Sequence, residues 1–280
     1  MGHPLQGPTK HILGSGGGRG LPESPKDWRI PFVPAVYAVA FRFSHPIPAA
    51  SPMPRPTLTL SNETITRARV EGLLAEDALL VFDACDLAGA DLSRLNLQDC
   101  VFRHCTLPEV SFYAANLART RWHRCRGGHA DFESADLVDA VFEACDLNNA
   151  SWRRTKLASS TFRGCKLTGA RFEEVAQLGL SFEDCLLVGA DMRRMSFRKA
   201  RLRGLDFSEA DLAGCDFREA VFEGGSLREA HIKDTRFEQA DLREADLGGL
   251  KLSNAKQFLG ATISTRQAAE LVRTMGLNVA

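Results

Sequence analysis

The sequence predicts an all-β fold, a four-sided parallel β-helix, and three observations carry that prediction. Large apolar residues recur at every fifth position from Phe82 to Leu252, and small residues recur two places before each of them. Side-chain types then sort a second time with a period of twenty. Of the 35 positions in the first series, 33 are Phe, Leu, Trp, Met or Ile, with Gly127 and Gln177 as the exceptions. The second series, Leu80 to Leu250, holds 14 Ala and all 8 Cys. None of these 70 positions carries a charge, although 25% of the chain is charged.

A helix repeats every 3.6 residues and a strand every 2, so a period of five fits neither. The chain must turn once per repeat, and four repeats close one square coil of twenty residues. Successive coils then stack at an inter-strand spacing of about 4.8 Å. The period of twenty is the independent check. Cys85, Cys105, Cys125, Cys145, Cys165 and Cys185 form one column. Phe82, Phe102, Trp122, Phe142, Phe162 and Phe182 form another, and these two columns are the expected core ladder. The repeats make just under nine coils, a tube roughly 42 Å long at that spacing.

Each remaining segment follows from its composition. Residues 1–56 hold most of the prolines and the run Gly14-Ser15-Gly16-Gly17-Gly18-Arg19-Gly20, which predicts a disordered lead segment. The apolar stretch Ile30 to Phe43 could be read as a secretory h-region, but it starts late and Pro31 and Pro34 break it. A translation start at Met53 is a further reading of this segment. Residues 57–79 are expected to form an N-terminal cap, and 80–257 the tube. Residues 258–280 are expected to close the other end with a helix. Ser264-Thr265-Arg266-Gln267 fits a capping box, and Ala268, Leu271, Val272 and Met275 share a helical face. Gly276 stops the helix. This end is too apolar for a polar plug. It predicts a homodimer through Phe258, Leu259, Ile263, Leu271, Val272, Met275, Leu277 and Val279.

The composition excludes several functions. With 35 basic and 35 acidic residues, the chain has no large uniform positive field, so direct nucleic-acid binding is not expected. No run of about 18 apolar residues occurs that could span a membrane. The cysteine column has no Cys-x-x-Cys pair and its side chains run parallel, which argues for small apolar packing over metal or disulfide chemistry. Eight unpaired thiols fit a reducing, cytoplasmic compartment. His104, His123, His129 and His231 lack ligand spacing, and the glycine run is not followed by the Lys-Ser or Lys-Thr of a phosphate-binding loop. No nucleophile–base–orienter set can be assembled, so no catalytic residue and no cofactor is expected. Arg193, Arg194 and Arg198, in a basic belt with Lys199, Arg201 and Arg203, are candidate partner contacts. Asp206, Glu209, Asp211, Asp216, Glu219 and Glu223 form a following acidic zone with the same candidate role.

The unit Ala-Asp-Leu-x-x, as in Ala90-Asp91-Leu92 and Ala210-Asp211-Leu212, resembles the pentapeptide-repeat proteins, which implies a right-handed quadrilateral β-helix over about 80–257. Three further segments are similar to the Qnr-type quinolone-resistance proteins and their albicidin-resistance relatives: Thr64 to Gly72, Ala176 to Cys185, and Leu271 to Val279. That resemblance implies a bacterial, cytoplasmic partner of DNA gyrase or topoisomerase IV that dimerises through its C-terminal end. Two departures stand against it. Such proteins often carry loops projecting from the coils, and the unbroken register from 82 to 252 leaves no room for one. They are often acidic mimics of duplex DNA, whereas residues 81–257 hold 28 acidic and 25 basic residues, a net of −3. The rival reading is a pentapeptide-repeat scaffold with an unrelated partner, because a fold does not fix a function.

Overall fold

The computed structural model describes residues 56–76, 78–251, 254–274 and 276–279. The expected disordered segment, the h-region and the alternative start at Met53 all lie outside them.

The apolar period of five produces a parallel β-solenoid. A lead-in strand, β1 (Thr57–Ser61), pairs with β2 (Leu79–Asp83). Seven three-residue strands then follow one coil apart: β3 (Val101–Arg103), β4 (Arg121–His123), β5 (Val141–Glu143), β6 (Thr161–Arg163), β7 (Ser181–Glu183), β8 (Arg201–Arg203) and β9 (Val221–Glu223). They form one parallel nine-stranded sheet in chain order. From β2 onward the register advances by twenty, as in Phe82↔Phe102 and Phe102↔Trp122. Single bridges with the same step, such as Asp86↔Thr106, Asp91↔Ser111 and Asn96↔Asn116, build the other three faces.

The corners fall on the fifth residue of the Ala-Asp-Leu-x-x unit, where φ is positive even for Ala84 (54°) and Arg94 (60°). A non-glycine residue in the left-handed region costs on the order of 1–2 kcal/mol. Packing and the ladders offset that cost, because each corner places one large and one small side chain inward. Residues such as Phe102, Leu107, Phe112 and Leu117, the four sides of one coil, are fully buried. The aromatic column stacks nearly parallel, with Phe102 and Trp122 centroids 3.9 Å apart.

The small-residue column has a polar function that the pattern did not disclose. All eight cysteines are buried and free. Cys105 Sγ donates to Phe82 O at 3.4 Å, and Cys125, Cys165 and Cys185 repeat the contact on later coils. Among the hydroxyl residues of this column, Thr155, Ser160 and Thr235 make the same step, to the carbonyl 23 residues earlier, whereas Thr120 donates to Leu117 O. Cys, Ser and Thr therefore use a second lone pair of an inner carbonyl, while Ala only fills space. Burial pushes the Cys100 and Cys215 thiols up to about 12.

Both ends are covered, as open solenoid edges require. At the first end, α1 (Arg67–Leu74) is capped by Thr66 and buries Val70 and Leu73. The Arg67 guanidinium donates to Asp91 O and Ser93 O of the first coil. At the far end the last coil is one residue longer, since Asp241 pairs with Thr262. A 3₁₀ turn, Ala255–Phe258, takes up the extra residue and stacks Phe258 on Phe237 at 4.9 Å. Helix α2 (Thr265–Thr274) follows. The expected capping box forms: Gln267 N–H donates to Ser264 Oγ, and Ser264 N–H donates to Gln267 Oε1 at 2.6 Å. Gln267 also reaches under the helix, where Nε2 donates to Leu242 O and Ala245 O. This buried amide pins the cap to the tube.

The two exceptions in the ladder behave differently. Gly127 is a local relaxation: Leu107 and Leu147 fill its missing side chain, so closely that a Cβ would lie 2.2 Å from Leu107 Cδ1. The neighbouring backbone ladder is intact there. Gln177 marks a true interruption.

Candidate partner-binding surface

The interruption at Gln177 has a packing cause. Val175, Leu180 and Met195 put large side chains at small-residue positions, and Gln177 puts an amide at a large apolar one. Overfilled small positions push adjacent coils apart. Between these two coils the ladder opens. Strands β7 and β8 keep only the Glu183↔Arg203 pairing. Ser196 N–H, which by the twenty-residue step should donate to Val175 O, donates to Gln177 Oε1 at 3.2 Å. Among the described residues, the N–H groups of Glu174, Gln177 and Gly179 find none of the next-coil carbonyls that their counterparts one coil earlier use. Leu178 stands 85% exposed beside the opening. An open groove of about 590 Å³, lined by Glu173, Glu174, Arg193, Arg194, Lys233 and Asp234 among others, runs alongside.

The basic belt adjoins this opening, but the charges that the sequence set apart largely neutralise one another. Arg193 binds Asp191 and Glu173, with Asp211 at 3.6 Å. Arg198 and Lys199 both reach Glu219, and Arg201 pairs with Glu223. Arg203 pairs with Glu183, and Arg218 with Asp216. The Arg218 guanidinium holds the Asp216 carboxyl below the usual carboxylate range, and Arg198 does the same to Glu219. The twenty-residue coil also places Asp206, Asp211, Asp216 and Glu223 on four different faces, so the acidic zone encircles the tube and forms no single surface. Arg194 and Glu209 form no ion pair among the described residues.

The residues expected at the dimer interface divide into two sets. Phe258 and Leu271 pack against the core of their own chain. Leu259, Ile263, Leu277 and Val279 are exposed, Leu259 at 73% and Leu277 at 58%. Val272 is half-buried, and Met275 lies outside the described residues. The described residues contain no group of three His, Cys, Asp or Glu able to hold a metal. No helix among them is long and apolar enough to cross a membrane.

A charge feature also escaped sequence reasoning. Residues 101–130 carry five arginines against a single acidic residue, Glu109. Summing charge over the whole tube hid this, and sorting outward residues by their place in the twenty-residue coil would have found it.

Comparison with known proteins supplies the family. The description "Pentapeptide repeat region" matches residues 81–152 and 155–231, and "Pentapeptide repeats (8 copies)" matches 135–173 and 226–256. No curated protein matches the chain. Among solved structures, a trypsin-treated variant of QnrB1, described as a plasmid-mediated fluoroquinolone resistance protein, is 22% identical with a TM-score of 0.48, over 81% of this chain and 99% of that one. Full-length QnrB1 gives 20% identity and a TM-score of 0.42, over 80% and 99%. HetL from the cyanobacterium Nostoc sp. strain PCC 7120, involved in heterocyst differentiation regulation, gives 20% and 0.33, over 70% and 89%. The repeat in the sequence, the twenty-residue coil in the structure and the matched residues agree, and the chain belongs to the pentapeptide-repeat family.

Proposed function

We propose that this protein is a non-catalytic binding protein that docks on a bacterial type II topoisomerase, DNA gyrase or topoisomerase IV, and protects it from a poison such as a quinolone or an albicidin-like antibiotic. One observation carries the reading. The three segments that resemble Qnr-type proteins coincide with the three places where the chain departs from a plain coil: the α1 cap, the opening at Gln177, and the α2 end. Open ends need a cover, but the coil does not need the opening at Gln177. Gln177 and the exposed Leu178 lower stability relative to the Leu or Phe and the polar residue that the repeat calls for. Residues that work against the fold mark where a sequence serves something else. The QnrB1 description concerns drug resistance of that protein, and here it motivates the choice of partner.

The protein acts in this account as a stoichiometric ligand, as a C-terminally joined homodimer in the cytoplasm. The test is direct binding of the full chain to immobilised gyrase and topoisomerase IV. Saturable binding, weakened about tenfold by Leu178→Glu with the melting temperature unchanged, supports the docking surface. No binding to either enzyme at tens of micromolar leaves the scaffold reading in its place.

A further inference from the structure

Four of the five arginines of residues 101–130 gather at one edge of the tube on two successive coils. Arg103 lies on β3, and Arg121 lies on β4 one rung away. Arg124 stands at the corner that follows β4, above His104, and Arg126 begins the next face in register with Thr106. These four arginines are exposed. None of them forms an ion pair or a side-chain hydrogen bond among the described residues, in contrast to the neutralised belt around Arg193. The nearest carboxylates are engaged elsewhere. Asp83 binds His104 at 3.1 Å, Glu143 binds His123 and Arg163, and Asp146 lies 4.0 Å from Lys166.

We propose that this edge binds the phosphate backbone of duplex DNA, against the expectation from the net charge of the whole chain, which averages out this strip. The inference goes beyond the reading above and does not depend on it, because it concerns the isolated chain. Four unpaired guanidinium groups on rungs about 4.8 Å apart make a local positive strip on a neutral protein. The cations are all arginine, whose planar fork matches phosphate oxygens bidentately and which sheds water more readily than lysine. A protein partner would call for an apolar or aromatic anchor at the centre of the patch. Of the exposed large apolar residues, Tyr113, Leu178 and Leu259 lie on other faces, and Leu186, in the column of Arg126, stands three rungs beyond it. No exposed Phe, Tyr or Trp lies on the strip to offer single strands a broad stacking platform, and the His104 and His123 rings meet edge to face. The strip reads charge and spacing, so sequence preference is not expected.

The test is fluorescence anisotropy of a short labelled duplex titrated with the full chain at salt concentrations from about 50 to 200 mM. The expected slope of log K against log salt is about −3 to −4, since each of four phosphate contacts contributes about −0.9. The double variant Arg121→Ala/Arg124→Ala should reduce the slope by about two. Arg121→Lys/Arg124→Lys should keep it, which separates charge from folding. Arg203→Ala, whose side chain is already paired with Glu183, should leave it unchanged. No binding at about 50 mM salt, or a slope that the alanine variant does not alter, overturns the proposal. Displacement of the duplex by polyglutamate of equal charge, at equal or lower concentration, overturns it in favour of an acidic protein partner.

Discussion

Trp122 and Trp152 occupy equivalent sites, yet replacing each by phenylalanine should have different consequences. Both are at most 1% exposed. Trp122 stacks between Phe102 and Phe142 at 3.9 and 5.4 Å, and Trp152 between Phe132 and Phe172 at 4.3 and 5.8 Å. They differ at the indole nitrogen. Trp122 Nε1–H donates to Thr120 Oγ1 at 2.9 Å, and that hydroxyl passes the bond on to Leu117 O. Trp152 Nε1 is buried without a partner: the position equivalent to Thr120, two residues earlier, is Ala150, which offers no side-chain acceptor. Indole to phenyl removes the same atoms at both sites, so burial and cavity losses of about 1–2 kcal/mol are common to the pair. At Trp152 the change also removes an unsatisfied donor, which returns about 1–3 kcal/mol. At Trp122 it loses a net hydrogen bond worth about 0.5–1.5 kcal/mol. Trp122→Phe should therefore be the more damaging by about 2–4 kcal/mol, and Trp152→Phe should be close to neutral. For a folded unit of this size each kcal/mol shifts the melting temperature by about 2–4 °C, so the variants should differ by at least about 4 °C in thermal circular dichroism. Equal melting temperatures would refute the assignment of the indole partners.

The remaining predictions follow from other parts of the tube. Ala150→Leu overfills a fully buried small position and should destabilise by about 1–3 kcal/mol in the same thermal assay. Gln267→Leu strips the α2 cap of its bonds to Ser264, Leu242 and Ala245 and should cost about 2–4 kcal/mol, read as faster hydrogen exchange confined to the last coils. All eight thiols are buried, so they should resist a thiol reagent at pH 8 in the native protein and react when it is unfolded; burial also pushes the Cys100 and Cys215 thiols up to about 12. Arg218 and Arg243 hold the carboxyls of Asp216 and Asp241 below their usual range. A folded-state value below the unfolded one gives stability that is complete above the unfolded value and lost as the pH falls through the folded one. Melting temperature should thus be level from about pH 8 to 5 and decline below about pH 4.

The tube was legible in the sequence because its interior is monotonous. Most inward positions repeat one of two sizes, so Phe82 to Leu250 could be placed on faces by counting. The C-terminal cap was legible for a related reason, since Ser264 and Gln267 satisfy each other locally. Three features were not. The fate of Gly127 depends on Leu107 and Leu147, twenty residues away on either side. The opening at Gln177 needs Val175, Leu180 and Met195 to act together across two coils. Neutralisation of the charged belt depends on the circumference: Arg198 meets Glu219 and Arg201 meets Glu223 because 21 or 22 residues bring the chain back to nearly the same edge. A linear grouping of charges misses that return, and for the same reason it missed the unpaired arginines of residues 101–126.

The most direct measurement of the functional claim is a supercoiling and DNA-cleavage assay with intact gyrase, titrating the full chain with and without ciprofloxacin or albicidin. The account predicts that supercoiling is restored and trapped double-strand breaks decline, saturating once the protein is stoichiometric with gyrase. Unchanged breaks at a saturating excess over both gyrase and topoisomerase IV would contradict it.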